Sequence, residues 1–195
     1  MAPRSKEQFA TIRLKSREAI LDAALHLFAR RGYGETTMEE IAKRAGISKG
    51  LIYNHFASKI VILESLVMEV IQHRLPMLTE IPPKGAPAKS LETLIRMWIR
   101  FIKTEPELVR LFQQIHGSGH LAKVLVRRHG KLYEDVLKSV TKIFERRNSP
   151  TPVVDAALLG SIMDGIGLNY TAAPDLFPID KMEKRLVELF ASTEP

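Results

Sequence analysis

The sequence predicts an all-α chain of about nine helices, three in a basic N-terminal part and six in the remainder. Three observations carry that reading. Apolar residues recur at helical spacing along the whole chain, and no segment alternates with the period of two that a half-buried strand needs. Capping residues, glycines and prolines punctuate the periodic stretches at helix-length intervals. Finally, 195 residues of which 45% are hydrophobic can bury a core, in one domain or two small ones, without disulfides, because the chain has no cysteine.

The first helix is predicted over Leu14–Arg31. Ile20, Ala23, Ala24, Leu27 and Phe28 form its stripe, and Gly32 is placed to take the left-handed position after its end. Thr36-Thr37 followed by Glu39-Glu40 is a capping-box pattern, opening a short helix from Met38 to about Ala45. Gly46 breaks the chain, Ser48 is the next N-cap, and Lys49–Phe56 makes a second short helix; Ser58 then caps a third running to about Leu75. Two short helices joined by a glycine turn have the helix-turn-helix layout.

A Pro/Gly/Ala-rich loop over 81–88 separates this part from a helix carrying Leu91, Leu94, Ile95, Trp98, Phe101 and Ile102. The chain restarts at Thr104-Glu-Pro106, is interrupted at Gly117-Ser-Gly119, and continues as one long helix from Leu121 to Arg147. Asn148-Ser-Pro-Thr-Pro152 ends it. Two last helices are predicted over Val153–Ala172 and Ile179–Ala191.

Charge is distributed unevenly. The first 59 residues hold 11 basic and 6 acidic side chains, the remaining 136 hold 18 and 16, so most of the net +7 sits in under a third of the chain. Such asymmetry is expected when one small module meets a polyanion. On a helical wheel of Lys49–Phe56, Ile52 and Phe56 fall together; Gly50, Leu51 and Asn54 lie opposite, flanked by Tyr53 and His55. A helix entering a major groove needs this division, one side locked to a scaffold and another open to base edges and phosphates. Lys49 adds charge at the helix N-terminus, where free N–H groups already favour an anion.

From Arg17 through Lys59 the sequence resembles the DNA-binding domain of TetR-type transcriptional regulators, in Ile20-Leu-Asp-Ala-Ala24, Leu27-Phe28, Gly32-Tyr33, Thr36-Thr37, Ile41-Ala42, Ala45-Gly-Ile-Ser-Lys-Gly50, Ile52-Tyr53, His55-Phe56 and Ser58-Lys59. The resemblance implies a helix-turn-helix domain over 1–59 and an effector-binding, dimerising helical domain over 60–195. It puts Ser48, Lys49, Gly50, Leu51 and Asn54 in or at the mouth of the major groove, and Thr37, Tyr53, His55 and Lys59 on phosphates. Family members often have Thr where Leu51 stands and Tyr where Asn54 stands, so the operator preference is this chain's own. The basic segment Arg4, Lys6, Arg13 and Lys15 is either a minor-groove arm or a solvated tail.

A single reading head binds weakly, so a self-complementary surface for a homodimer is expected. Ala156, Ala157, Gly160, Gly165 and Gly167, small residues on one helix, are the candidates; tight packing within one chain is the other reading. Met163-Asp-Gly-Ile-Gly-Leu168 is similar to the eighth helix of TetR-type proteins. The resemblance further implies a small-molecule cavity, for which Trp98, Phe101, Phe112, His116, His129, Tyr133 and Met163 are candidates, or else plain core.

No cofactor, metal site or enzymatic activity is expected: there is no His-x-x-x-His pair and no pair of catalytic carboxylates. Arg31-Gly-Tyr-Gly34 starts like an RNA-recognition consensus, but no aromatic-rich strand follows. Without an apolar segment behind the N-terminal basic residues or a run of eighteen apolar residues, export and membrane spanning are not expected, and a cytoplasmic location follows. The expected function is a dimeric repressor released from a near-palindromic operator by a small apolar or amphipathic ligand; the rival is a helical-bundle enzyme or small-molecule carrier.

Overall fold

The computed structural model describes residues 6–74 and 86–192. These contain nine α-helices and no strand: α1 Lys6–Arg31, α2 Met38–Arg44, α3 Lys49–His55, α4 Lys59–Glu69, α5 Pro87–Thr104, α6 Pro106–Gly117, α7 Gly119–Glu145, α8 Pro152–Ala172 and α9 Ile179–Ala191. A π-helical turn, Val70–Arg74, extends α4. The expected end of that helix at Leu75, most of the 81–88 loop, and Arg4 lie outside the described residues. The chain divides into two compact units between Met68 and Glu69, rather than after Lys59, so nearly all of α4 goes with the first. The reason is its apolar stripe: Ile62, Leu63 and Leu66 are buried.

In the first unit, α1 packs on α2 and α2 on α3. Ile20, Ala24 and Phe28 of α1, Ile41 of α2 and Ile52 of α3 are wholly or almost wholly shielded from solvent. Gly32 (φ 92°) ends α1, its N–H bonded 2.9 Å from the Phe28 carbonyl, and Gly46 (φ 69°) turns the chain between α2 and α3. A side chain at either position would force its backbone into the left-handed region that glycine tolerates. The main departure from expectation is that α1 begins at Lys6, so Arg13 and Lys15 are helical residues rather than part of a loose arm.

In the second unit, α5 packs against α9, α8, α7 and α6, while α7 runs along α8. Helices α5, α6 and α8 each start at proline, where the missing N–H costs nothing. Ser118 closes α6 and caps α7, its Oγ accepting from Leu121 N–H, so Gly117-Ser-Gly119 is a corner. Asn148 takes the left-handed position after α7 (φ 57°), and Ser149 N–H reaches back to the Phe144 carbonyl at 3.1 Å. Helix α7 is not one straight rod as expected. His129 has φ −126° and ψ 25°, outside the helical range, next to Gly130.

Between α5 and α9, Arg96 bridges Glu92 and Glu183, and Lys103 meets Asp180 at 3.0 Å. Arg147 donates to the Phe190 and Ser192 carbonyls, placing a cation at the negative end of α9.

The opposed faces of α3 give a direct test. Ile52→Ala should lower the unfolding free energy by about 2–4 kcal/mol through a core cavity, and Leu51→Ala by less than about 0.5 kcal/mol. Denaturant midpoints of the two variants measure the difference.

Candidate nucleic-acid interface and ligand pocket

The surface of the first unit is organised around α3. Ser48, its N-cap, accepts the Leu51 N–H at 3.2 Å. Ile52 (0% exposed) and Phe56 (2%) anchor the helix, and the Arg17 guanidinium lies 4.9 Å from the Phe56 ring centroid while donating to Ser65 Oγ. Ser48, Lys49, Gly50, Leu51, Tyr53 and Asn54 are all exposed, Leu51 at 37% and Tyr53 at 50%. A Cβ added at Gly50 would meet nothing within 4 Å, so nothing stands over the backbone there. The helix therefore presents a continuous polar and apolar strip that a duplex can approach closely.

Three side chains named from the sequence, Lys49, Thr37 and Lys59, have other engagements, and a fourth, His55, has a shifted pKa. The Lys49 ammonium is paired with Glu39 at 2.7 Å, an exposed contact that holds the Glu39 carboxyl below its ordinary pKa and the Lys49 ammonium above its own. The Thr37 hydroxyl accepts the Glu40 N–H (3.2 Å) and donates to Glu40 Oε2 (2.9 Å), while Thr37 N–H donates to the same oxygen. This is a complete capping box. It leaves no hydroxyl proton for a phosphate.

His55 is pushed below its ordinary pKa, first by burial and then by the charges of Arg13 and Arg17. At pH 7 it is neutral, so in the free protein it offers a phosphate a hydrogen bond and no charge.

Lys59 departs furthest from the expected role. Its ammonium donates to the carbonyls of Tyr33, Gly34 and Thr36 and sits 4.4 Å from the Tyr33 ring centroid. Partial burial lowers its pKa. It clamps the turn between α1 and α2 instead of standing free for a phosphate. Nothing in the sequence shows that three carbonyls converge where the first turn of α4 begins. Conversely, sequence reasoning left Arg17 off the site and placed Arg13 only in a basic segment ahead of the first helix. Their effect on His55 shows that both lie near the end of α3, and only the start of α1 at Lys6 puts Arg13 on a rigid element.

In the second unit a shallow open pocket with an interior of about 20 Å³ is lined by Trp98, Phe101, Val109, Phe112, Gln113, His116, Met163, Asp164 and Gly167. Five residues expected there are present. Tyr133 is not: it is 62% exposed on the outer side of α7. His129 sits half-buried at the α7 kink and does not line the pocket either. Gln113 and Asp164 were missed, since a polar residue on an amphipathic helix reads as solvent-facing.

The small residues of α8 divide between two faces. Ala156 is buried, and a Cβ at Gly167 would lie 3.3 Å from Val109, so these two pack within the chain. Ala157 and Gly160 are exposed and Gly165 is half-buried, with open space beside both glycines.

A short helix held by its apolar side, preceded by a glycine turn and a second short helix, and presenting exposed Lys, Leu, Tyr and Asn, has the layout of a helix-turn-helix DNA-binding module. Residues 20–66 match the family model described as "Bacterial regulatory proteins, tetR family". The repressor BepR of Brucella suis is 45% identical over 53 residues, 27% of this chain and 25% of BepR. The regulator AcrR of Shigella flexneri is 24% identical over 188 residues, covering 90% of this chain and 87% of AcrR. A solved structure described as a SmeT–triclosan complex shares the fold, with a TM-score of 0.72 at 22% identity over 90% of this chain and 89% of SmeT.

The matched segment, residues 20–66, carries the DNA-binding pattern of that family, and the curated relatives the chain resembles are described as transcriptional regulators. The first curated relatives are matched over only 20% to 40% of their own length. Among the described residues no cluster of side chains suits a metal ion, and no single helix is long and apolar enough to cross a membrane.

Two substitutions separate the roles of the lysines. Glu39→Gln should raise affinity for random duplex DNA about two- to fivefold at low salt, by freeing Lys49 and removing a like charge from the phosphates; filter binding reads this. Lys59→Met should cost about 1–2 kcal/mol of stability through the lost carbonyl hydrogen bonds, visible as a lower thermal midpoint of the free protein.

Proposed function

We propose that the protein is a dimeric repressor that binds a near-palindromic operator and leaves it when a small apolar or amphipathic ligand occupies the pocket of the second unit. The observation that carries the DNA half is the division of α3 into a buried Ile52/Phe56 side and an exposed Lys49, Gly50, Leu51, Tyr53, Asn54 side. On this reading Leu51 contacts a thymine methyl and Asn54 a base edge. Gly50 permits close approach, Ser48 sits at the groove mouth, and Lys49 exchanges Glu39 for a phosphate. Tyr53 and neutral His55 hydrogen-bond to phosphates. Thr37 and Lys59 serve the interface by holding α2 and its leading turn in place.

Dimerisation is supported by α8. Val154, Ala157, Leu158, Ser161, Gly165 and Leu168 follow helical spacing on the side opposite the buried Leu159 and Met163. Leu158 is 51% and Leu168 55% exposed, an apolar stripe that a second copy of the same helix can cover. Gly160 lies beside it, where the lack of a side chain lets a partner backbone come near.

Ligand release is a linkage between the two sites: a ligand that favours a DNA-incompetent arrangement lowers DNA affinity by the factor by which DNA lowers ligand affinity. The carrier proposed for that change is α4, which starts at Lys59 in the first unit and whose last residue, Glu69, is counted in the second. The pocket supports an effector role, and the triclosan held by SmeT is in keeping with a small, largely apolar ligand. A cytoplasmic location goes with this reading.

The test uses the duplex flanking the coding region, searched for a near-palindrome, against random duplex across a salt series. Specific binding by a dimer with a steep inverse salt dependence is expected. Tyr53→Ala should weaken both duplexes alike, whereas Asn54→Ala should reduce the preference for the operator by about five- to a hundredfold. Ala157→Glu should give monomers in sedimentation and remove operator binding while leaving the helical content unchanged. Operator binding by a monomer, or equal losses on every duplex for both α3 variants, would overturn the reading.

A further inference from the structure

The outer side of α7 carries positive charge that the free protein leaves uncompensated. From Gly119 through Tyr133 the helix holds Lys123, Arg127, Arg128 and Lys131 and no Asp or Glu. Residues 60–195 as a whole are nearly balanced, with 18 basic against 16 acidic side chains. Lys123, Arg127 and Lys131 are all exposed, follow one another at four-residue intervals along one flank, and form no salt bridge among the described residues. Like charges at that spacing repel and destabilise a helix, so an opposing row of carboxylates would relieve a cost that the free protein bears. An open groove of about 430 Å³, lined by His120, Lys123, Val124, Arg127 and Arg128, leaves room for a partner's side chains.

Beside that flank runs an apolar seam. Val126 (50% exposed), Gly130, Tyr133 (62%) and Leu137 (37%) recur at intervals of four, three and four residues. At Gly130 an added Cβ would meet nothing within 4 Å, so a partner backbone can come close there. The seam covers about 16 Å of helix and has the spacing by which paired helices meet, with cations bordering it on one side. A seam one side chain wide suits a single helix. A bilayer surface needs a broader apolar face, and a nucleic acid needs none. A second copy of α7 has little to offer the cations, because Glu134 is already bonded to Lys138 at 3.4 Å.

We propose that this face of α7 docks an acidic amphipathic helix of another protein. The partner's apolar side would lie on Val126, Gly130, Tyr133 and Leu137, and its carboxylates opposite Lys123, Arg127 and Lys131. The uncompensated cations set the sign of the partner, and the narrow seam sets its shape. Neither feature serves the pocket or the surface around α3, so the inference stands apart from the proposed repressor function.

The experiment uses the full chain and two fluorescently labelled synthetic peptides of about five helical turns, at about 150 mM salt. One peptide places Leu along a seam and Glu on its flanks; the other has the same composition in an order that scatters both. Anisotropy titrations should show the patterned peptide binding at least about tenfold tighter than the scattered one. Replacing Lys123→Glu and Arg127→Glu together should weaken it about tenfold or more, and Tyr133→Ser about fivefold, each with an unchanged thermal midpoint and helical content. The Tyr133 variant separates docking on the seam from plain attraction to a basic surface. Vesicles of phosphatidylcholine and phosphatidylserine, and sedimentation of the chain alone, test the other occupants. The inference falls if the patterned peptide fails to bind, binds no better than the scattered one, or keeps its affinity in either variant. It falls also if the vesicles bind through the same residues, or if Tyr133→Ser lowers the oligomeric state, which would make the face a contact between copies of this chain.

Discussion

The burial of Ile52 and Phe56 fixes the rotation of α3, and the surface proposed to meet DNA depends on that rotation. A seven-residue helix has too few backbone hydrogen bonds to hold itself together in water. Its register comes from the apolar pair, the Ser48 cap and the turn at Gly46. With those in place, Gly50, Leu51, Tyr53 and Asn54 have no choice but to face outward. The Arg17 guanidinium over Phe56 adds a cationic lid to one anchor and brings charge close to the end of the same helix.

The second constraint on that surface is electrostatic. Charged side chains that look available in a sequence are partly used up by the free protein. Lys49 is paired with Glu39, and Lys59 is committed to three carbonyls. These engagements differ in kind. The exposed Lys49 pair is weakly held and can exchange for a phosphate at little cost, whereas Lys59 satisfies backbone groups of a turn that α2 needs. One lysine is thus held by an exposed, exchangeable pair, as the proposed DNA contact requires, and the other is part of the scaffold.

In the second unit the kink at His129 matters as much as any single contact. Helix α7 packs along α8, Tyr133 of α7 lies on the surface, and the pocket is built from α5, α6 and α8. Helix α8 serves two purposes with two faces. Met163, Asp164 and Gly167 line the pocket, and Ala157, Leu158 and Leu168 form the exposed stripe. A helix that carries both a cavity wall and the surface proposed for the partner subunit is well placed to couple them.

The helical class, the starts of α2 and α3, the full extent of α9 and the buried side of α3 were legible in the sequence, because capping chemistry and apolar periodicity act locally and leave their mark within a few residues. So were the aromatic members of the pocket and the small-residue character of α8. What only the tertiary structure decided are the places where residues distant in sequence meet. These include Lys59 on the 33–36 turn, the early start of α1 beside α3, the inward face of Ala156 and Gly167, the exclusion of His129 and Tyr133 from the pocket, and the approach of Asp164 to Trp98 and His116. The physical reason is the same in each case: a side chain's partners depend on where the helices cross and bend, and crossing and bending follow from packing of the whole unit rather than from any local pattern.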